Sequence, residues 1–237
     1  MSLNNFKKDV MDIYKNDLVN VVRKYLINGS SYFFNLDKIE DDEYNIKNDI
    51  SRILNIHPNN IIIVGSAKLG YSIKPTFNDR QSLSYNFNSF RFDFDSENNI
   101  EESDIDIAII DSNLFEQKVK CIYEYLRGYD LAIIFEKFDD CRKKRHYINS
   151  DTGEKYNKKC FDDFSKYMLI GWLRPDKMPK EYDLSPELEE VRNKYNKLYN
   201  RKINIGIYKS WFYFEEYNIQ NLKRIQQTIN LKGFDDE

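Results

Sequence analysis

Two short apolar runs, each tied to a polar signature, constrain this chain more than anything else in its 237 residues. Ile61-Ile62-Ile63-Val64 reads as a buried strand. It runs straight into Gly65-Ser66-Ala67-Lys68-Leu69-Gly70, a Gly-Ser turn opening a short helix. Downstream, Ser103-Asp104-Ile105-Asp106-Ile107-Ala108-Ile109-Ile110 places two carboxylates two residues apart in a second apolar strand. Strand side chains alternate faces, so Asp104 and Asp106 point the same way, roughly 7 Å apart. Carboxylates that close repel each other unless a cation sits between them, and an all-oxygen donor set suits Mg²⁺. The Gly-Ser turn supplies backbone N–H groups, a hydroxyl and a helix dipole, which suit a polyphosphate. A phosphate cradle beside metal-binding carboxylates is the equipment for phosphoryl-type transfer from a nucleotide.

The pairing of Gly65, Ser66 and Gly70 with Ser103, Asp104 and Asp106 resembles the signature of the DNA polymerase beta-like nucleotidyltransferase superfamily. The resemblance covers residues 58–112 and departs from compact relatives in the long insertion, residues 73–100, between its two halves. It implies an α+β fold: a nucleotidyltransferase core of mixed sheet flanked by helices, with additional helices at both ends. It also implies that Asp104 and Asp106 bind two Mg²⁺ ions, and that Gly65 and Ser66 contact the β- and γ-phosphates of a nucleoside triphosphate, ATP foremost. Lys68, Gly70 and Ser103 complete the expected nucleotide-binding set, with Lys68 adding charge or serving only as a surface lysine. The expected reaction is transfer of a nucleoside monophosphate to a hydroxyl of RNA, protein or a small molecule. Small stand-alone relatives of this kind include bacterial toxin and antiviral-defence nucleotidyltransferases.

The rest of the composition bounds the reading. The length fits one large domain or two small ones. A formal net charge of −3 gives no global pull toward nucleic acid or an anionic membrane, so any basic footprint must be local. Cys121, Cys141 and Cys160 are widely spaced and odd in number, which matches a reducing, cytoplasmic setting. No apolar run approaches the ~20 residues of a membrane span. With two histidines in the chain, His57 beside a proline and His146 in a basic run, a zinc site is not expected.

Taken in order, residues 5–27 carry apolar side chains at helical spacing, and a second helix spans 40–55. In the insertion, Phe90-Arg91-Phe92-Asp93-Phe94-Asp95 alternates strictly and reads as a strand, so Asp93 and Asp95 form a rival acid pair. They lead into Ser96-Glu97-Asn98-Asn99, a turn, and the pair at 104 and 106 is preferred. The insertion is a hairpin covering the site or a flap gating it, and Arg80 or Arg91 could meet a phosphate. Ser112-Asn113 can cap a helix over 114–127 that Gly128 ends. Residues 129–135 are apolar and fit either helix or strand. The run from Arg142 to His146, extended by Lys155, Lys158, Lys159 and Lys166 with interleaved aromatics, is either a solvated face or a contact for an RNA or protein acceptor. A helix over 160–172 is followed by an irregular connector at 174–179. Ser185-Pro186-Glu187 starts a further helix, Lys202–Lys209 alternates as a strand, and an amphipathic helix closes the chain. The chain thus divides into N-terminal helices (1–57), a core (58–172) and a C-terminal helix-strand-helix (173–237).

Active members of the superfamily add a third carboxylate from a neighbouring strand. The strand over 203–208 offers Asn204, Gly206 and Tyr208 on its open face and no acid; Glu136, Glu215 and Glu216 are the substitutes within reach of the argument. Three classes therefore stay open: an active nucleotidyltransferase, a nucleotide-sensing module, and an interaction protein whose acid pair is merely solvated.

Overall fold

A computed structural model of the chain describes residues 2–12, 17–36, 42–73, 75–77, 83–85, 87–93, 101–128, 147–148, 155–156, 158–174, 177–178 and 185–232. It is a mixed α+β structure built on a four-stranded mixed sheet with helices on both faces. Strand β1 (Ile61–Val64) pairs antiparallel with β4 (Ile105–Ile110), which pairs parallel with β8 (Ile203–Tyr208). A two-residue strand β7 (Trp172–Leu173) closes the other edge, antiparallel to β8. Two small ladders stand apart, β2 (Pro75–Phe77) with β3 (Leu83–Tyr85) and β5 (Tyr147–Ile148) with β6 (Lys155–Tyr156).

Strand alternation divides the core in two. Ile61, Ile63, Ile105, Ile107, Ile109, Ile203, Ile205 and Ile207 point to one face, where they meet α3 (Asp42–Leu54), α5 (Ser112–Tyr125) and α7 (Pro186–Tyr199). Ile62, Ala108, Ile110 and Tyr208 point to the other, under α1 (Leu3–Met11), α2 (Leu18–Val22) and α8 (Trp211–Lys232). Each fully buried isoleucine contributes about 2–3 kcal/mol of transfer free energy. Eight of them on one face make the register of β1, β4 and β8 the best-specified feature of the fold, because a one-residue slip would send all of them to the wrong side. α4 (Gly65–Leu69) and α6 (Lys158–Leu169) complete the helices. Among the described residues no helix is long and apolar enough to cross a membrane.

Four sequence expectations are corrected. The helix over 5–27 is interrupted: Asp12 ends α1, and Asp17 opens α2 by accepting the Val19 N–H at 3.2 Å, after which Arg23–Ile27 widens into a π turn. Aspartate is a better cap than helix-interior residue, and the break lets α1 fold back so that Phe6 meets Tyr25 edge-on at 5.2 Å. Second, α5 is capped by Asp111, whose carboxylate accepts the Leu114 N–H at 2.8 Å, rather than by Ser112 or Asn113. Third, the helix before the connector stops at Leu169. Gly171 takes a left-handed φ of +68°, and Trp172 turns back to stack on Tyr208 at 5.1 Å, so 172–173 is sheet, not helix. Fourth, residues 90–93 do not form a strand; the carbonyls of Arg91 and Phe92 that a ladder would use are taken by the Arg201 guanidinium. Phe94, Asp95, residues 129–135, Arg142–His146 and the connector at 175–176 and 179 lie outside the described residues. Strands from both sides of that connector, β7 and β8, share one sheet.

Candidate functional site

The acid pair lies at the end of the sheet where β1 finishes and β4 and β8 begin. Antiparallel pairing sets Asp106 opposite Val64, and parallel pairing sets it opposite Asn204. The residue after Val64 is therefore delivered to the Asp106 carboxylate. That residue is Gly65, with φ +67°, and a Cβ on it would stand 2.9 Å from Asp106 Oδ2. The turn must be glycine for two reasons at once: the left-handed backbone, and a carboxylate in van der Waals contact with the space a side chain would need. Ser66, the next residue, is half-buried at the start of α4.

Asp104 stands one residue before β4 and its side chain is 37% exposed. Asn204 joins it to Asp106: the Asn204 amide nitrogen donates to Asp104 Oδ2 and to Asp106 Oδ1, each at 3.0 Å. Lys202 brings its ammonium to 3.7 Å from Asp104 Oδ2 from the solvent side. Among the described residues, the Asn204 amide bridges the two carboxylates and the Lys202 ammonium flanks Asp104.

Beyond Asn204 on the same face the strand is bare. Gly206 is covered by the Trp172 indole, whose Nε1 would lie 2.6 Å from a Cβ there. Arg174 stacks on Trp172 and on Tyr167, with its guanidinium carbon 5.0 Å and 4.8 Å from the two ring centres. Burial pushes the Tyr208 hydroxyl well above its ordinary pKa of 10.0, with smaller contributions from the Tyr217 hydroxyl and the Asp106 carboxylate, so Tyr208 keeps its proton.

Other residues singled out from sequence go elsewhere. The Lys68 side chain is buried, and its ammonium donates to the Gly29 carbonyl rather than reaching the turn; burial lowers its pKa from 10.5. Gly70 closes α4 with φ +86° and packs against the Tyr32 ring, where a Cβ would meet ring carbons at 2.8 Å. Ser103 is an anchor for the insertion: its Oγ accepts the Arg91 N–H at 3.0 Å, and its own N–H donates to the Arg91 carbonyl. The rival Asp93 is exposed and outside any strand. Glu215 is held by Arg23 through two contacts of 2.6 and 3.1 Å, and Glu136 lies outside the described residues. Among the described residues no three His, Cys, Asp or Glu side chains gather where they could hold a metal.

No family model matches this chain, and no curated protein or solved structure resembles it significantly. Function is read from the site alone. Sequence reasoning missed three of its parts. The amide bridge from Asn204, the flank from Lys202 and the cover of Gly206 by Trp172 all depend on which strands become neighbours. The only signal in the sequence was the period-two pattern that placed Asn204 and Gly206 on the open face of β8.

Proposed function

We propose that the chain is a Mg²⁺-dependent nucleotidyltransferase with a polymerase beta-like core, moving a nucleoside monophosphate from a nucleoside triphosphate, ATP by default, to a hydroxyl acceptor. One observation carries the reading. The Gly-Ser turn and the acid pair, separated in sequence by the whole insertion, meet at contact distance between Gly65 and Asp106. The order of strand, short helix, antiparallel acid-bearing strand, helix and parallel strand supports the same core.

The chemistry follows from the residues. Asp104 and Asp106 would hold Mg²⁺, since two carboxylates on one sheet face form the hard-oxygen set that ion takes. When bound, the ion neutralises the polyphosphate and stabilises the charge on the leaving group. Gly65 leaves no side chain between the turn and Asp106, so a polyphosphate can lie against backbone N–H groups while facing the acids. Lys202 at the rim adds a positive charge for the pyrophosphate as it departs. The buried isoleucines on the opposite face of β4 hold both carboxylates in place, which limits reorganisation during transfer. The acceptor oxygen forms a bond to the α-phosphorus, the α–β phosphoanhydride bond breaks, pyrophosphate leaves, and the acceptor proton passes to water. RNA, protein or a small molecule can supply the hydroxyl; in the basic segment proposed to recognise it, the run Arg142–His146 lies outside the described residues.

A second reading, a nucleotide-sensing module, is favoured by Asn204 standing where an acid would be needed on β8. The test is incubation with Mg²⁺ and each α-³²P-labelled nucleoside triphosphate, with and without total tRNA, beside an Asp104→Ala/Asp106→Ala variant. Label in RNA, protein or a small product that vanishes in the variant is the expected result. No label, with Mg²⁺-nucleotide still raising the Tm of wild type only, would replace transfer with sensing. No label and no shift in Tm would sink both.

A further inference from the structure

We infer that the acid pair takes one divalent cation rather than two, and that Asn204 is the residue that sets this number. The inference rests on the nucleotide reading above and specifies its metal requirement. The register Asp106–Asn204 on adjacent parallel strands puts the Asn204 amide on the same face as the carboxylate, in the place a third acid would occupy. The amide nitrogen reaches Asp104 Oδ2 and Asp106 Oδ1 at 3.0 Å each, so it already spans the gap between the carboxylates. A cation entering that gap must displace the two N–H donors, which a half-turn of the amide does while presenting Oδ1 as a neutral oxygen ligand.

Among the described residues the donor set then consists of two carboxylates and one amide oxygen. That charge of two minus balances one Mg²⁺, whose remaining octahedral positions are filled by water and substrate phosphate. Among the described residues a second ion in the same few ångströms would have no anionic ligand of its own. It would also sit beside the Lys202 ammonium, 3.7 Å from Asp104 Oδ2. Nor is Glu215, one of the sequence candidates for a third acid, free to serve, because two nitrogens of the Arg23 guanidinium engage it.

The consequence for mechanism is a division of labour. The single ion accompanies the triphosphate, and the acceptor hydroxyl is left without metal activation. Nucleotide binding is then retained while transfer depends on an acceptor that is already a good nucleophile or on a group brought by a partner.

Mn²⁺ titrated into the full chain, with the free ion read by electron paramagnetic resonance, tests this without any turnover. Wild type is expected to bind one Mn²⁺ per chain, Asn204→Asp two, and Asp104→Ala/Asp106→Ala none. Asn204→Ala supplies no third acid and is expected to stay at one. Two ions on wild type or on Asn204→Ala would overturn the inference while leaving the nucleotide reading intact. One ion on both wild type and a folded Asn204→Asp would show that Asn204 does not set the number. No ion on wild type or on Asn204→Asp would remove the metal site and the nucleotide reading with it. An ion on Asn204→Asp alone would overturn the claim that the natural site is metal-competent.

Discussion

A methyl group added at Gly65 would land 2.9 Å from Asp106 Oδ2 on a backbone already at φ +67°. Gly65→Ala is therefore expected to lose about 1–2 kcal/mol of stability from the left-handed backbone and the forced shift of the acid. Mn²⁺ affinity should fall at least tenfold with it, and urea denaturation beside the titration above checks both. Stability lost with affinity unchanged would mean the turn does not shape the site. A second residue-scale effect is remote from the site. Asp9 accepts from Lys24 at 2.6 Å and from Tyr25 at 2.8 Å, and those bonds hold its carboxyl below the ordinary 3.8. A carboxyl depressed on folding contributes stability above the unfolded value and loses it as pH falls through the folded one. Asp9→Asn should destabilise the chain at pH 7, and its deficit relative to wild type should begin to shrink near pH 3.8 and vanish once pH has fallen through the lower folded value. A deficit that persists at lower pH would assign it to packing instead of charge.

Among the elements, the returning arm of the insertion is tied down by Ser103 and, more extensively, by Arg201. Arg201 is 8% exposed, pairs with Glu102 at 2.7 Å, donates to the Arg91 and Phe92 carbonyls, and lies over the Phe90 and Phe92 rings. It sits immediately before β8, so it ties the arm to the strand that carries Asn204. Arg201→Ala leaves Glu102 and the Phe92 carbonyl without the Arg201 donor and the Arg91 carbonyl with the Ser103 N–H alone, at a cost of about 3 kcal/mol. Hydrogen exchange should speed up at 87–93 and leave β4 and β8 protected; equal protection throughout would show that the arm is held by its own packing. The contact between Gly206 and the Trp172 indole works at the same scale, since any side chain at Gly206 would lift β7 off the sheet.

At the scale of the whole molecule, β8 is an interior strand, paired with β4 on one side and β7 on the other. A chain ending at residue 184 would lack β8, α7 and α8, leaving one edge of β4 unpaired and stripping a helix from each face of the sheet. It is expected to show no cooperative unfolding transition by circular dichroism, whereas a cooperative melt would establish residues 1–184 as an independent unit. The 174–179 connector, with Pro175 and Pro179, read as a boundary before a C-terminal helix-strand-helix that completes the fold, and sheet pairing runs between β7 and β8 on either side of it. Composition marks where a chain is irregular; it does not say whether the segments on either side share a core.

What the sequence determined by itself was local. The apolar runs at 61–64, 105–110 and 203–208 became strands because β-branched residues in short runs bury well on a pleated surface. Ser185 and Pro186 opened a helix where capping chemistry said they would. Asp104 and Asp106 share a face because alternation has a fixed period. Features that depend on a partner far along the chain were decided only by tertiary structure. The end of α1 at Asp12 and the start of α2 at Asp17 serve the packing of Phe6 on Tyr25, and Trp172 pairs with β8, a strand that begins only at Ile203. Lys68, near the turn in sequence, is drawn to Gly29 because a buried ammonium takes the nearest carbonyl. Asn204 meets the acid pair because parallel pairing of β4 with β8 fixes that register. Side-chain period is a property of the backbone and can be read residue by residue; which strands become neighbours is set by burying the isoleucine face as a whole.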